Sequence, residues 1–266
     1  MRQLRQSEIQ TPLGIAVSVR DGDVLGEVKR ALDAGRVALA WQPIVSAQDA
    51  QTVMLYEGLI RVIEENGRII PAAEFMGVVA QHELGRRIDC AALKMGLHAL
   101  ARHPQLRVSI NMSARSLGYP AWMRILREGL AQRRDIGPRL VLEVSEESAI
   151  LVPELVSAFM DEMQLCGLAF ALDDFGAGLS SFRSLRDFSC EILKIDGQFI
   201  RNIHQDPSNQ ALVRSVIAVG RQFEMMTIAE AVETREEAEW LRAAGVSCLQ
   251  GYGIGAPSLK PNWTGL

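Results

Sequence analysis

Residues 168–174 read LAFALDD, five apolar or small residues ending on a pair of aspartates. A β-strand buried on both faces reads as a continuous apolar run, and a polar residue at its C-terminal end is placed at a mouth. Working outward in both directions, six more runs end in the same way. LYE ends at Glu57, VSIN at Asn111, LVLE at Glu143, ILK at Lys194, TIAE at Glu230 and SCLQ at Gln250. A lone polar ending is most often a solvated terminus or a helix cap. Seven, alternating with helical stretches, predict one polar site built from many strands, as at the active face of a (β/α)8 barrel.

The segments between these runs support that reading. Helical spacing from Val24 to Ala34 stops at Gly35, a C-cap residue. VALAWQPIV, the polar turn SAQDAQ and MLYEGLIRV read as a hairpin, hence an antiparallel pair. Helices are expected over Ala72–Ala101, Ala121–Gln132, Pro153–Cys166, Asn209–Phe223 and Thr234–Ala244, with a short piece around Ser181–Asp187, each ahead of a strand. The alternation predicts parallel βα units in an α/β fold, closed into a barrel with an irregular first turn. An open doubly wound sheet would gather its ligand groups at one crevice, whereas these come from nearly every strand.

At 266 residues, 48% apolar and 23% charged, the chain has the size and composition of one such barrel. The expected division is a leader over residues 1–23 and the barrel domain over 24–266. The leader lacks the apolar core of a secretory signal, and no run approaches the ~20 apolar residues that span a bilayer. Four scattered cysteines (Cys90, Cys166, Cys190, Cys248) form no CxxC pair, so reduced thiols in a cytoplasmic protein are expected. The net charge of −4 supplies no field for a DNA or RNA polymer.

Glu57, Asn111, Glu143, Asp173 and Asp174, with Glu230 a further candidate, place mostly carboxylates at one mouth. Their repulsion and desolvation call for cations, and an all-oxygen set suits magnesium or manganese rather than zinc or copper. Adjacent Asp173 and Asp174 could serve two ions with one carboxylate bridging, the arrangement that clamps the attacking and leaving oxygens in phosphoester cleavage. Lys194, at a neighbouring strand end, suits a role in positioning water or stabilising charge on phosphorus. The Asp-Phe-Gly after Asp173 lacks the other protein-kinase signatures, and GYGIG lies too near the C-terminus to open a dinucleotide-binding unit. None of the four histidines has ligand spacing to another.

In order along the chain, WQPIV, EGLIR, INMS, LEVSEES, ALDDFGAGLSS, LKIDGQFI, AEAVET and QGYGIG resemble the EAL-domain cyclic di-GMP phosphodiesterases, from about Val24 to near the C-terminus. The resemblance implies a modified (β/α)8, TIM-type barrel with an antiparallel first strand. It also implies hydrolysis of cyclic di-GMP to linear pGpG with two Mg2+ or Mn2+ ions. Glu57, Asn111, Glu143 and Asp173 would hold one ion; Asp173, Asp174 and Glu230 would hold the other. Lys194 matches the water-orienting lysine and Gln250 the glutamine at the last strand. Gln42 and Arg61 match substrate-facing positions, and Asp196 and Glu233 further polar or guanine-facing ones. Glu146 matches the glutamate that steadies the loop after the aspartate pair, a loop implied to lie near a homodimer contact.

The signature triplet here is Glu57-Gly58-Leu59, with Gly58 where the family has alanine. Ala177 and Leu179 stand where the family often has Thr and Tyr, and Ala231 where Gly is common. No ligand position is lost, which favours an enzyme over a catalytically silent receptor for cyclic di-GMP or a protein.

Overall fold

Val37–Ser46 (β1) and Val53–Ile63 (β2) form the expected hairpin, with Gln42 directly opposite Glu57. The computed structural model describes residues 12–177, 185 and 188–263, with side chains from Arg20 onward. The strands that follow are Ile69–Pro71 (β3), Val108–Asn111 (β4), Leu140–Ser145 (β5), Ala169–Phe175 (β6), Ile192–Ile195 (β7), Met226–Ala229 (β8) and Cys248–Leu249 (β9). β2 and β4 to β9 pair in parallel, each with the next. β1 pairs antiparallel with both β2 and β9, so the ring β1-β9-β8-β7-β6-β5-β4-β2 closes. This is a modified TIM-type barrel with an antiparallel first strand. The short β3 was not foreseen; it pairs with the far end of β2, outside the ring.

Strand periodicity places the site. Leu55, Val141, Ala171, Ile192, Ile228 and Cys248 form one buried cluster with Ile44. Six of these residues lie two positions before Glu57, Glu143, Asp173, Lys194, Glu230 and Gln250. A period of two directs both sets into the barrel, so an apolar layer lies directly beneath a polar one. The alternate residues, such as Ile110, Leu142, Phe170, Leu172 and Leu193, pack in the larger cluster outside the barrel.

The helices are Pro12–Asp33 (α1), Met76–Val79 (α2), Glu83–Arg102 (α3), Pro120–Gln132 (α4), Glu146–Ile150 (α5), Pro153–Gln164 (α6), Pro207–Gln222 (α7) and Arg235–Ala244 (α8). Two expectations are corrected. α1 reaches back to Pro12, beyond the helix start expected at Val24; a proline in the first turn loses no intrahelical bond, and the helix runs unbroken through Val24. The single helix over Ala72–Ala101 is instead a 3-10 turn, α2 and α3. Phe75 and His82 leave helical geometry, and α3 folds closely against the end of α2: a Cβ on Gly85 would stand 2.9 Å from the Val79 carbonyl oxygen. The piece around Ser181–Asp187 lies outside the described residues, except for Leu185, which is buried.

Past β9 the chain returns to the barrel. Ser258 exchanges both backbone hydrogen bonds with Trp41, and the Trp263 ring meets Trp41 and Tyr56 edge-on at centroid separations of 5.6 and 4.9 Å. All four cysteines are free thiols. Among the described residues, no helix is long and apolar enough to cross a membrane.

Candidate active site

Lys194 stands at the centre of the polar layer, only 1% exposed. Its Nζ lies 2.6 Å from Glu143 Oε2, 2.8 Å from Glu230 Oε1, 3.0 Å from Asp173 Oδ1 and 3.2 Å from Glu57 Oε2. Burying an ammonium costs several kcal/mol unless it is matched by opposite charge. Here burial lowers the lysine pKa, but the four carboxylates overcome it and hold the pKa well above its usual value. Lys194 is therefore a fixed cation.

Glu57 is held from three sides. Gln250 Nε2 donates to Oε2 at 2.6 Å, Asn111 Nδ2 donates to Oε1 at 2.6 Å, and Lys194 approaches Oε2. Burial raises the Glu57 pKa, and Lys194, Gln250 and Asn111 outweigh that and bring it below the usual range. The other carboxylates lack this support. Burial, then the Glu57 charge, pushes Glu143 up to about 8. Burial, then Asp173 and Asp196, pushes Asp174 up to about 6. Burial raises Glu230 well above its normal value despite Lys194. One lysine cannot neutralise five carboxylates, so the site carries an excess of negative charge.

Asp173 and Asp174 reach the same space because the strand is irregular there. Asp174 is left-handed, at φ 54°, and the β6–β7 register shifts between Leu172 and Phe175. A bulge of this kind re-aims a side chain that strict alternation would turn away. One carboxylate oxygen from each of Asp173, Asp174 and Glu230 lies within 4.8 Å of the others. Glu143 Oε1 and Gln250 Oε1 are buried with no hydrogen-bond partner among the described residues. These all-oxygen donors, and the excess of negative charge, match the needs of divalent hard cations.

The remaining expected residues differ in burial and contacts. Gln42, 7% exposed, accepts from Gln250 Nε2 at 3.2 Å and donates to the Gly255 carbonyl. Arg61 is partly buried at the rim, within the electrostatic reach of Tyr252 and Glu57. Glu146 is buried on α5 and accepts from Gly176 N in the loop after the aspartate pair. Asp196 accepts from Gln198 N at 2.6 Å and contributes to the raised Asp174 pKa. Glu233 is exposed, and its side chain joins none of the hydrogen bonds described here. Ala177 is exposed, while Leu179 lies outside the described residues.

Residues 25–257 match the EAL domain family. The chain belongs to that family. It is 31% identical over 235 residues to the cyclic di-GMP phosphodiesterase PdeB of Shewanella oneidensis, covering 86% of this chain and 27% of that protein. It is also 31% identical over 240 residues to the probable cyclic di-GMP phosphodiesterase PdeA of Escherichia coli, covering 88% of this chain and 32% of that one. The chain thus spans under a third of the length of these relatives. Among solved structures, the FimX EAL domain of Pseudomonas aeruginosa bound to c-di-GMP superposes with a TM-score of 0.83 at 26% identity, covering 92% of this chain and all of that one. The PaMucR phosphodiesterase in its c-di-GMP complex gives 0.77 at 26% identity, over 89% and 97% of the two chains.

Two supports of this EAL site escaped the sequence reading. Asp89 on α3 is buried, and its Oδ2 accepts from Ser113 N (2.9 Å) and Ser116 Oγ (2.6 Å), bracing the turn after Asn111. Glu237 is a buried carboxylate on α8. The Thr234-x-x-Glu237 spacing, a capping-box pattern, was a signal for the second; Asp89 had none.

Proposed function

We propose that this EAL domain hydrolyses cyclic di-GMP to linear pGpG with two magnesium or manganese ions. Glu57, Asn111, Glu143 and Asp173 would hold one ion, and Asp173, Asp174 and Glu230 the other. The observation that carries this reading is the gathering of four carboxylates around a buried lysine, with Asp174 beside two of them. Bound there, the ions would polarise a phosphate oxygen and acidify the attacking water.

The chain's own residues supply position and charge. Lys194 orients the water and offsets charge developing on the phosphate. Gln250, held through its Nε2 by Glu57 and Gln42, keeps its amide oxygen without a partner among the described residues and so offers it to the same space. Arg61 offers a planar fork to a phosphate oxygen, while Gln42 and Asp196 face the nucleotide. In the reaction the water oxygen bonds to phosphorus and releases a proton. The bond from phosphorus to the ribose 3′ oxygen breaks, and that oxygen leaves protonated, giving a 5′-phosphorylated linear dinucleotide. Glu146 keeps the loop after Asp174 in place through Gly176.

The same reading includes a homodimer contact around that loop. Exposed Ile150, Leu151, Val152 and Leu155, which follow Glu146 in the chain, support it. Substitution tests the assignments. Lys194→Ala and Glu57→Ala are each expected to lower kcat by at least ~10²-fold, the scale of losing one preorganised charge-stabilising group. Turnover within a few-fold of the parent in either variant would remove that residue from the mechanism.

A further inference from the structure

Glu237 lies outside the donor set, in the first turn of α8, and is 3% exposed. Its carboxylate gathers three backbone N–H groups. Oε1 accepts from Asn202 at 2.8 Å; Oε2 accepts from Glu233 at 2.9 Å and Thr234 at 3.0 Å. A capping box explains the bond from Thr234. It does not explain Asn202, which belongs to the loop after β7. Asn202 is left-handed at φ 54°, a conformation that costs ~1 kcal/mol or more and persists where its surroundings enforce it.

The two loops interlock at a second point. Ala231, next to Glu230, is also left-handed at φ 52°, and a Cβ on Gly197 would stand 2.6 Å from its methyl. Gly197 follows Asp196 directly. On the other side, Val232 N donates to the Gln250 carbonyl at 2.9 Å and Gly253 N to the Val232 carbonyl at 2.9 Å. The segment carrying Glu230 is therefore gripped by both neighbouring loops. Burial raises the Glu237 pKa, but its amide bonds from Glu233, Asn202 and Thr234 overcome this and leave it lowered. The acceptor is ionised.

We propose that Glu237 is a positioning residue for the acidic mouth: its buried carboxylate fastens the loop after β7 to the loop after β8 and so fixes Glu230 opposite Asp173 and Lys194. The consequence for metal binding rests on the function proposed above; the fastening of the loops does not. Two measurements on the full chain separate them, amide hydrogen exchange and Mn2+ titration by calorimetry, with wild type, Glu237→Ala and Thr234→Ala compared. Thr234→Ala removes the other half of the capping box, where Thr234 Oγ1 accepts from Glu237 N at 3.2 Å, and leaves the Asn202 bond intact. It reports helix capping alone.

Glu237→Ala is expected to speed exchange in both loops, residues 197–203 and 230–234, and to weaken Mn2+ binding about tenfold, the low end of what loss of a group that orients a metal ligand costs. Thr234→Ala is expected to speed exchange only in the first turn of α8, with Mn2+ affinity unchanged. Exchange confined to α8 in Glu237→Ala, or the same pattern in both variants, overturns the proposal. If the wild type binds no Mn2+, the metal reading fails, while the exchange pattern still decides the role of Glu237. Where Glu237→Ala does not fold, Glu237→Gln, which keeps the volume and one acceptor oxygen, is expected to show the two-loop pattern at lower amplitude, and its absence overturns the proposal.

Discussion

Gly58 stands where the family's alanine methyl has no room. A Cβ there would lie 2.7 Å from Ile110 Cδ1, 3.1 Å from Trp41 Cζ3 and 3.2 Å from Leu39 Cδ1, and Ile110 also fills the space beside Gly96. The isoleucine has taken the volume of the missing methyl. Gly58→Ala should therefore destabilise by ~1–2 kcal/mol through overpacking, and Ile110→Val in the same chain should recover most of it. Thermal unfolding of the two single variants and the double variant checks this; simple additivity would contradict it. Asp89 gives a second test. Burial pushes its pKa up to about 6, against the hydrogen bonds from Ser116 and Ser113. A carboxyl that holds its proton more tightly when folded loses stability as pH rises from its ordinary value of 3.8 to about 6, by on the order of 2–3 kcal/mol. Both bonds end on one oxygen, which Asn also offers, so Asp89→Asn should abolish that decline. Urea unfolding across pH 4–7 would show it, and parallel curves for the two proteins would contradict it.

Among the elements, those with a strong local signal were legible. The hairpin, the parallel strands and the later helices follow from apolar runs, helical spacing and turn residues. The misplaced start of α1 and the break between α2 and α3 reflect packing. Nothing in Ala72–Ala101 announces that Gly85 must pass against the Val79 carbonyl. The bulge at Asp174 was likewise invisible, because nothing in LAFALDD marks which residue leaves the strand's regular alternation. Interlocking of the loops after β7 and β8 makes its own prediction. Gly197→Ala would bring two methyl groups within 2.6 Å and displace the Asp196 turn, lowering stability by ~1–3 kcal/mol and reducing turnover. Ala231→Gly in the same chain removes the opposing methyl and the left-handed alanine and should restore both. Failure of the second substitution to rescue the first, in unfolding and in rate, would contradict the interlock.

At the scale of the whole molecule, the donor set was readable because a barrel converts a position along each strand into a position in one layer. Seven strand ends then converge without any being near another in sequence. Asp89 was not readable, since its partners are a backbone amide and a hydroxyl supplied by the fold, and the capping-box spacing of Thr234 and Glu237 marked a helix cap without revealing the bond to Asn202. The charge balance also emerges only here: Lys194 meets four carboxylates, and the upward shifts of Glu143 and Glu230 mark a surplus of negative charge that divalent cations would relieve. The most direct test is to incubate the purified chain with cyclic di-GMP and Mn2+ or Mg2+ and separate the products by chromatography. Metal-dependent conversion to pGpG, absent with chelator and in Lys194→Ala, is the predicted result. Binding of cyclic di-GMP without any pGpG in either metal would contradict the account and make the domain a receptor.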